Sequence, residues 1–412
     1  MMGRGNRFPP AVAATFVVVA SLGLARTSQG DDWPQFRGPY TDNTVTGFTV
    51  PSTWPASLKE KWKVPVGDGL AAPALVGDKI YTFTRQGGEE VTLCLEAATG
   101  KEVWKDSYAA EAVGGAAARF PVRGPRSSPA VRDGKVCTFG VSGVLSCLDA
   151  GSGKVVWRKT TKGRPTFYTS QSPVITEGLC ILHVGGPEGP RGKGELTAYE
   201  LATGEVKWKW AGDAPSYGSP VVATLADTKQ VVVLTSANLI GVALADGKLL
   251  WSTPLNQGRY QTATPIVMGN TVICTGVAFT IEKSGATFTT RQAWKGQAPH
   301  QYNTPVLKEG ILYGLMGTGR TSTIYAQDAT SGKVLWEDPV NRGEGGSILN
   351  AGSVLIGLGT DLNLVVFKPD KQEFKEVAKY KVGEGPAWAG PILAGKHIYI
   401  KDKDSLILWS LE

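Results

Sequence analysis

One short phrase recurs along the chain, and internal repetition constrains a fold more than any single motif does. A glycine turn leads into a strand that ends on tryptophan. It reads Ala98-Thr99-Gly100-Lys101-Glu102-Val103-Trp104, Gly151-Ser152-Gly153-Lys154-Val155-Val156-Trp157, Thr203-Gly204-Glu205-Val206-Lys207-Trp208, Asp246-Gly247-Lys248-Leu249-Leu250-Trp251 and Thr330-Ser331-Gly332-Lys333-Val334-Leu335-Trp336. Trp62 and Trp294 continue the series without the glycine. Tyr380, in Lys379-Tyr380-Lys381-Val382, stands where Lys61-Trp62-Lys63-Val64 predicts a tryptophan. A second marker, a small residue before proline, opens an apolar run at Ala72-Pro73, Ser128-Pro129, Ser172-Pro173, Ser219-Pro220, Thr264-Pro265, Thr304-Pro305 and Gly390-Pro391, with Ser347 in the proline's place in one further copy. Both markers count eight units.

Each unit reads as four strands. Between Pro129 and Trp157 they are Pro129–Val131, Lys135–Gly140, Val144–Asp149 and Lys154–Lys159, parted by Asp133-Gly134, Ser142-Gly143 and Ser152-Gly153. No helical period interrupts them. This predicts an all-β fold, an eight-bladed β-propeller of four-stranded antiparallel blades over 58–412. A single blade buries too little to stand alone, so blades must stack into a ring. The chain supplies an outer-strand marker first, Trp62, and ends with three strands after Pro391. The N-terminal strand is therefore expected to join the C-terminal blade and hide the sheet edges there. The outer-strand tryptophans are expected to pack between blades.

The first thirty residues stand apart. Arg4 and Arg7 precede an apolar run from Ala11 to Ala25, followed by the small residues Ser28 and Gly30. That is the pattern of a secretory signal peptide, too short for a comfortable membrane span. Residues 31–57 form an N-terminal extension before the repeats. Without Arg4, Arg7 and Arg26 the net charge falls from +7 to about +4, nearly neutral for a chain of this length, which argues against a general nucleic-acid surface. The expected location is periplasmic or extracellular. Export permits disulfides, but the five cysteines are an odd number with no CxxC among them. Cys94 and Cys147 each precede their tryptophan by the offset that gives Ala198 and Ala326 in other units, which marks a small core slot. A Cys137–Cys147 bridge across one hairpin is the conceivable pairing. His183, His300 and His397 lie in different units with no ligand spacing, and the glycine-rich stretch Gly185–Gly194 lacks the Ser or Thr of a phosphate loop.

The units resemble the pyrroloquinoline quinone (PQQ) repeat, Ala-x-Asp-x-x-Thr-Gly-Lys-x-x-Trp, most closely in Leu148–Trp157 and Asp328–Trp336. The opening Asp32-Trp33-Pro34-Gln35-Phe36-Arg37-Gly38-Pro39 is similar to the start of exported PQQ-like propellers of Planctomycetes. The resemblance implies two functions. One is that of non-enzymatic scaffolds similar to BamB, the outer-membrane assembly lipoprotein, although no lipobox is present. The other is that of PQQ-dependent quinoprotein dehydrogenases, which hold the quinone and calcium in the funnel. Their adjacent-cysteine disulfide is missing here, their Glu, Asn and Asp calcium set finds no match, and a CxxCH haem site is absent. The expectation is therefore a non-enzymatic protein-binding or assembly scaffold with no cofactor and an unidentified protein or peptide partner. The oxidoreductase is the alternative, and a secreted carbohydrate-binding module is a third reading.

Propellers bind on the face where inner strands begin. The residues three before each opening proline are Leu70, Arg126, Ser170, Tyr217, Thr262, Tyr302, Glu344 and Trp388, with Gln171, Tyr168, Tyr260, His300 and Asn303 nearby. The longest lead-in, Lys105 to Arg126, carries Arg119, Phe120, Arg123 and Arg126. Arg123, Arg126, Tyr217, Tyr302 and Trp388 are the candidate rim for an anion or peptide.

Overall fold

The computed structural model describes residues 1, 3, 32–114, 122–163, 165, 167–186, 192–255 and 262–412. The signal peptide expected over 1–30 lies outside them but for residues 1 and 3. So do Arg119, Phe120, Tyr260 and the centre of the Gly185–Gly194 stretch.

Eight four-stranded antiparallel sheets form the ring, numbered in chain order as blade 1 (74–109), blade 2 (130–160), blade 3 (174–213), blade 4 (221–254), blade 5 (266–295), blade 6 (306–337), blade 7 (346–381) and blade 8 (392–410 with 59–65). In blade 2 the strands are Ala130–Arg132, Lys135–Phe139, Val144–Asp149 and Val155–Thr160. Asp133 and Gly134 both take positive φ, 52° and 68°, as a tight hairpin between right-twisting strands requires. The two middle strands are buried along almost their whole length because both faces meet a neighbouring blade, and the fourth alternates towards solvent. Closure follows the expected route. Lys59–Pro65 pairs antiparallel with Ser405–Ser410, setting Trp62 opposite Leu408 in the last blade.

Two repeated contacts join the blades, and each explains one sequence marker. The first is the tryptophan. The indoles of Trp62, Trp104, Trp157, Trp208, Trp294 and Trp336 each donate to a carbonyl of the next blade's outer turn, at 2.8–3.2 Å. Where that turn carries a glycine, the ring lies against it. A Cβ on Gly100, Gly153, Gly204, Gly247 or Gly332 would stand 2.4–3.0 Å from the preceding blade's indole. The glycine thus supplies both a positive φ and the absence of a side chain. Within its own blade the indole faces a small residue, as with Cys94 against Trp104, Cys147 against Trp157, Ala198 against Trp208 and Ala326 against Trp336. Burial of each ring is worth roughly 2–3 kcal/mol.

The second contact is a belt of hydroxyls at the channel wall. The N–H groups of Ala72, Ser128, Ser172, Ser219 and Thr264 donate to Ser128, Ser172, Ser219, Thr264 and Thr304 respectively, each bond reaching the next blade at 2.9–3.2 Å. The proline that follows each of these residues has no N–H to satisfy. At the closing seam the buried Lys401 ammonium takes over this role. Its Nζ donates to the carbonyls of Asp402 and Lys403, and to Gly69 of the first blade. Burial pushes this lysine down to about 8.

One expectation needs correcting. Tyr380 does not occupy the tryptophan position. A bulge in each outer pairing falls just before the tryptophan, and in blade 7 it sets Ala378 there, opposite Val366. Tyr380 lies two residues further on, opposite Leu364, and its hydroxyl donates to Pro55 of the extension. The preserved spacing to Pro391 hid this shift of register.

Candidate functional site

The inner edges of the blades present unpaired backbone groups to the channel, and the N-terminal extension uses them. Trp33 exchanges both backbone bonds with Leu75 of blade 1, and Pro34 accepts from Val131 of blade 2. Four residues later the chain is across the ring. Arg37 donates through Nη1 to Thr304 and through Nη2 to Pro305, both at 2.9 Å in blade 6, and through Nε to Thr41. Asn43 then reaches Ile348 of blade 7, and Thr49 pairs with Gly395 of blade 8. The segment from Trp33 to Asn43 thus spans the channel, and Trp33 packs its ring against Gly38. Arg37 is buried, and burial pushes its guanidinium down to about 10 against the attraction of Asp42.

Above this floor lies a cavity of about 240 Å³. Trp33, Phe36, Arg37 and Asn43 close it below, and Leu70, Arg126, Ser170, Tyr217, Thr262, Tyr302 and Trp388 form the wall. Floor residues Trp33, Arg37 and Asn43 are buried, whereas those wall residues are half-buried, so the cup opens on the side where inner strands begin. Seven of the eight residues predicted for this ring line it. Glu344 does not. Arg123 also stands away: its backbone N–H donates to Asp68 and its side chain is exposed on the surface. Of the two arginines, Arg126 lines the cup and Arg123 does not.

The wall is aromatic and locally braced. Phe167 meets Tyr217 edge-on at 6.4 Å and donates its backbone N–H to the Tyr217 hydroxyl. Ser170 Oγ donates to the Tyr217 carbonyl. Tyr302 meets Trp388 edge-on at 5.9 Å. Behind it, His300 Nδ1 accepts from the Tyr302 N–H, which leaves Nε2–H to donate to Gly319. Burial pushes His300 below its ordinary value, in keeping with this neutral tautomer. Arg126 donates to the Phe167 carbonyl, and burial lowers its guanidinium while the nearby Tyr217, Tyr302 and Tyr168 oppose that shift. Trp388 Nε1, Ser347 Oγ and Thr262 Oγ1 are buried polar atoms with no hydrogen-bond partner among the described residues.

The donor set also tests the quinone and calcium expected of the dehydrogenase alternative. Calcium takes about six to eight oxygen ligands, carboxylates prominent among them. No Asp or Glu is among the described residues lining the cup. Among the described residues no group of three His, Cys, Asp or Glu side chains is placed to hold a metal. These residues do not supply the carboxylate ligands of the calcium ion.

The cysteines and the other histidines lie elsewhere. All five thiols are buried and unbridged. Cys137 pairs in register with Cys147, and both pack with Cys180 in the core between blades 2 and 3. His183 is 1% exposed, donates through Nε2–H to the Asp213 carbonyl, and meets Trp210 edge-on. Burial pushes it down to about 4 from 6.5. Between those values the unfolded chain binds a proton that the folded chain refuses. Stability is therefore complete above about 6.5 and falls as the pH drops towards 4, by about 3 kcal/mol. Urea unfolding at pH 7 and pH 4.5 measures this. H183Q is expected to lose less on acidification than the parent, and an equal loss in both would discard the assignment.

Sequence reasoning missed the floor. Trp33, Phe36 and Arg37 were read only as part of an opening motif, and Lys401 was not singled out. Their partners are backbone carbonyls far away in sequence, which leave no trace in side-chain pattern.

A ring of eight such units with its channel crossed by the N-terminal extension defines a PQQ-like β-propeller. The family model described as outer membrane protein assembly factor BamB matches residues 88–338, and the chain belongs to that family. The chain is 23% identical over 366 residues to BamB of Burkholderia pseudomallei, covering 84% of this chain and 86% of that protein. It is 30% identical over 229 residues to quinohemoprotein alcohol dehydrogenase ADH IIB of Pseudomonas putida, covering 53% of this chain but 32% of that enzyme. In fold it is similar to the crystal structure of quinohemoprotein alcohol dehydrogenase from Comamonas testosteroni, with a TM-score of 0.70 at 15% identity, covering 94% of this chain and 81% of that one. Among the described residues no helix is long and apolar enough to cross a membrane.

Proposed function

We propose that this protein is an exported, non-enzymatic binding propeller that holds a protein partner at the mouth of the cup, as an assembly scaffold similar to BamB. The observation that carries this reading is the lining itself: Arg126 with Tyr217, Tyr302 and Trp388 on a wall without a described carboxylate. Arginine, tyrosine and tryptophan are the side chains that dominate protein-binding energy when they sit in a desolvated pocket. Family membership and the match along most of the length of a BamB protein support it. Export rests on the signal-peptide pattern of Arg4, Arg7 and Ala11–Ala25. Quinone-dependent oxidation is the second reading, favoured by the similarity to dehydrogenases and opposed by the donor set.

The test is affinity capture from the exported fraction of native cells, with the wild type and an R126A/W388A double variant whose fold is checked by circular dichroism. A defined partner retained by the wild type and at least tenfold depleted with the variant is the expected result. Equal capture by both removes the cup mouth from the proposal. Titration of the purified protein with pyrroloquinoline quinone and calcium is expected to leave the absorbance unsaturated. Saturable uptake with dye-linked alcohol oxidation overturns the scaffold reading.

A further inference from the structure

The cup is blind and its charge is one-sided, and both facts limit what can enter it. Resting on the protein-binding reading above, we infer that the cup takes the C-terminal end of the partner: a free carboxylate carried by an apolar last residue.

The geometry excludes a threaded chain. The segment from Trp33 to Asn43 crosses from blades 1 and 2 to blades 6 and 7, so an extended strand cannot pass through the channel. A cavity of about 240 Å³ with one mouth admits an end group or a small molecule, not the middle of a strand. Charge selects which end. Arg126 on the wall and Arg37 in the floor are the charged side chains among the described lining residues. That field attracts a carboxylate and repels the ammonium of an N-terminus. The remaining wall, with Tyr217 and Tyr302, suits an apolar terminal side chain better than a polar one.

A small aromatic carboxylate shares this chemistry, so the experiment separates the two. Fluorescein-labelled glycine-serine peptides ending in phenylalanine, leucine or tryptophan are titrated by fluorescence polarisation, each as the free acid and as the C-terminal amide. 3-Phenylpropionate is titrated by calorimetry. At least one free acid is expected to bind saturably, with its amide about ten- to a hundredfold weaker. R126Q should weaken the free acid by a similar factor. W388A removes the aromatic wall of the cup and should weaken it several-fold while leaving the circular dichroism spectrum unchanged. Acid and amide binding equally, or W388A and R126Q both binding as the wild type does, overturns the inference. So does binding of 3-phenylpropionate with no peptide bound. In any of these cases, partner capture that still depends on Arg126 and Trp388 keeps the scaffold reading alive, so the two failures are told apart.

Discussion

Trp157→Ala is expected to lower the unfolding free energy by about 3–5 kcal/mol, because one side chain serves two blades. The indole is 8% exposed. It donates to Leu201 of blade 3 at 2.9 Å, lies against Gly204 in the same turn and meets the Tyr199 ring at 6.1 Å. In its own blade it covers Cys147. Truncation opens a cavity at the seam and leaves the buried Leu201 carbonyl with only the weak Cys147 thiol as donor. G204A approaches the same contact from the other side. Its Cβ would stand 2.7 Å from the Trp157 ring at a φ of +72°, so a loss of about 1–3 kcal/mol is expected. Trp251 is the internal control. It donates to Gln230 of its own blade, because blade 5 carries its glycine hairpin elsewhere. W251F, which removes that bond and part of the buried ring but no bond between blades, should fall by about 1–3 kcal/mol. Guanidinium unfolding midpoints measure all three. A loss below about 1 kcal/mol in W157A would sink the account of how the blades are joined.

These contacts explain why the ring was legible in the sequence and the floor was not. The glycine and the tryptophan of one phrase belong to different contacts: Gly204 receives Trp157, whereas Trp208 goes forward to the turn of Gly247. Because the ring repeats this relay, the pattern returns at a regular period and counts the blades. The hydroxyl belt leaves the same kind of trace in the small residue before proline. Tyr380 misled because its spacing to Pro391 is kept while the bulge moves by two positions, and only strand register records that. Arg123 and Arg126 are close in sequence, but the Asp68 carboxylate pins the backbone at Arg123 and leaves its side chain outside the cup. The ring of wall residues was readable from proline spacing. Their chemistry as a closed cup depends on Trp33, Phe36 and Arg37, which no repeat announces.

Arg37→Met is expected to be the second most damaging single change, with a loss of about 3–5 kcal/mol. Methionine keeps an apolar stem of similar reach but removes the charged fork. In the folded protein that fork joins residues 267 and 268 positions apart, donating to Thr304 and Pro305, and folds back to Thr41. Hydrogen bonds from a charged donor contribute about 1.5–3 kcal/mol each, and the blade-6 carbonyls would be left facing a channel with no replacement donor. Burial disfavours the charge, yet a pKa of about 10 leaves it protonated at neutral pH, so the interaction present there is the charged one. R37K restores the charge without the planar fork and should recover only part of the loss, since one ammonium does not span both carbonyls as the guanidinium does. Two measurements separate local from global effects. Guanidinium unfolding reports the total, and limited proteolysis reports release of residues 38–58, which should be cleaved several-fold faster in R37M than in the parent. If the extension merely lies in the channel without closing it, R37M will unfold at the parent's midpoint with unchanged cleavage, and the blind end of the cup is lost with it.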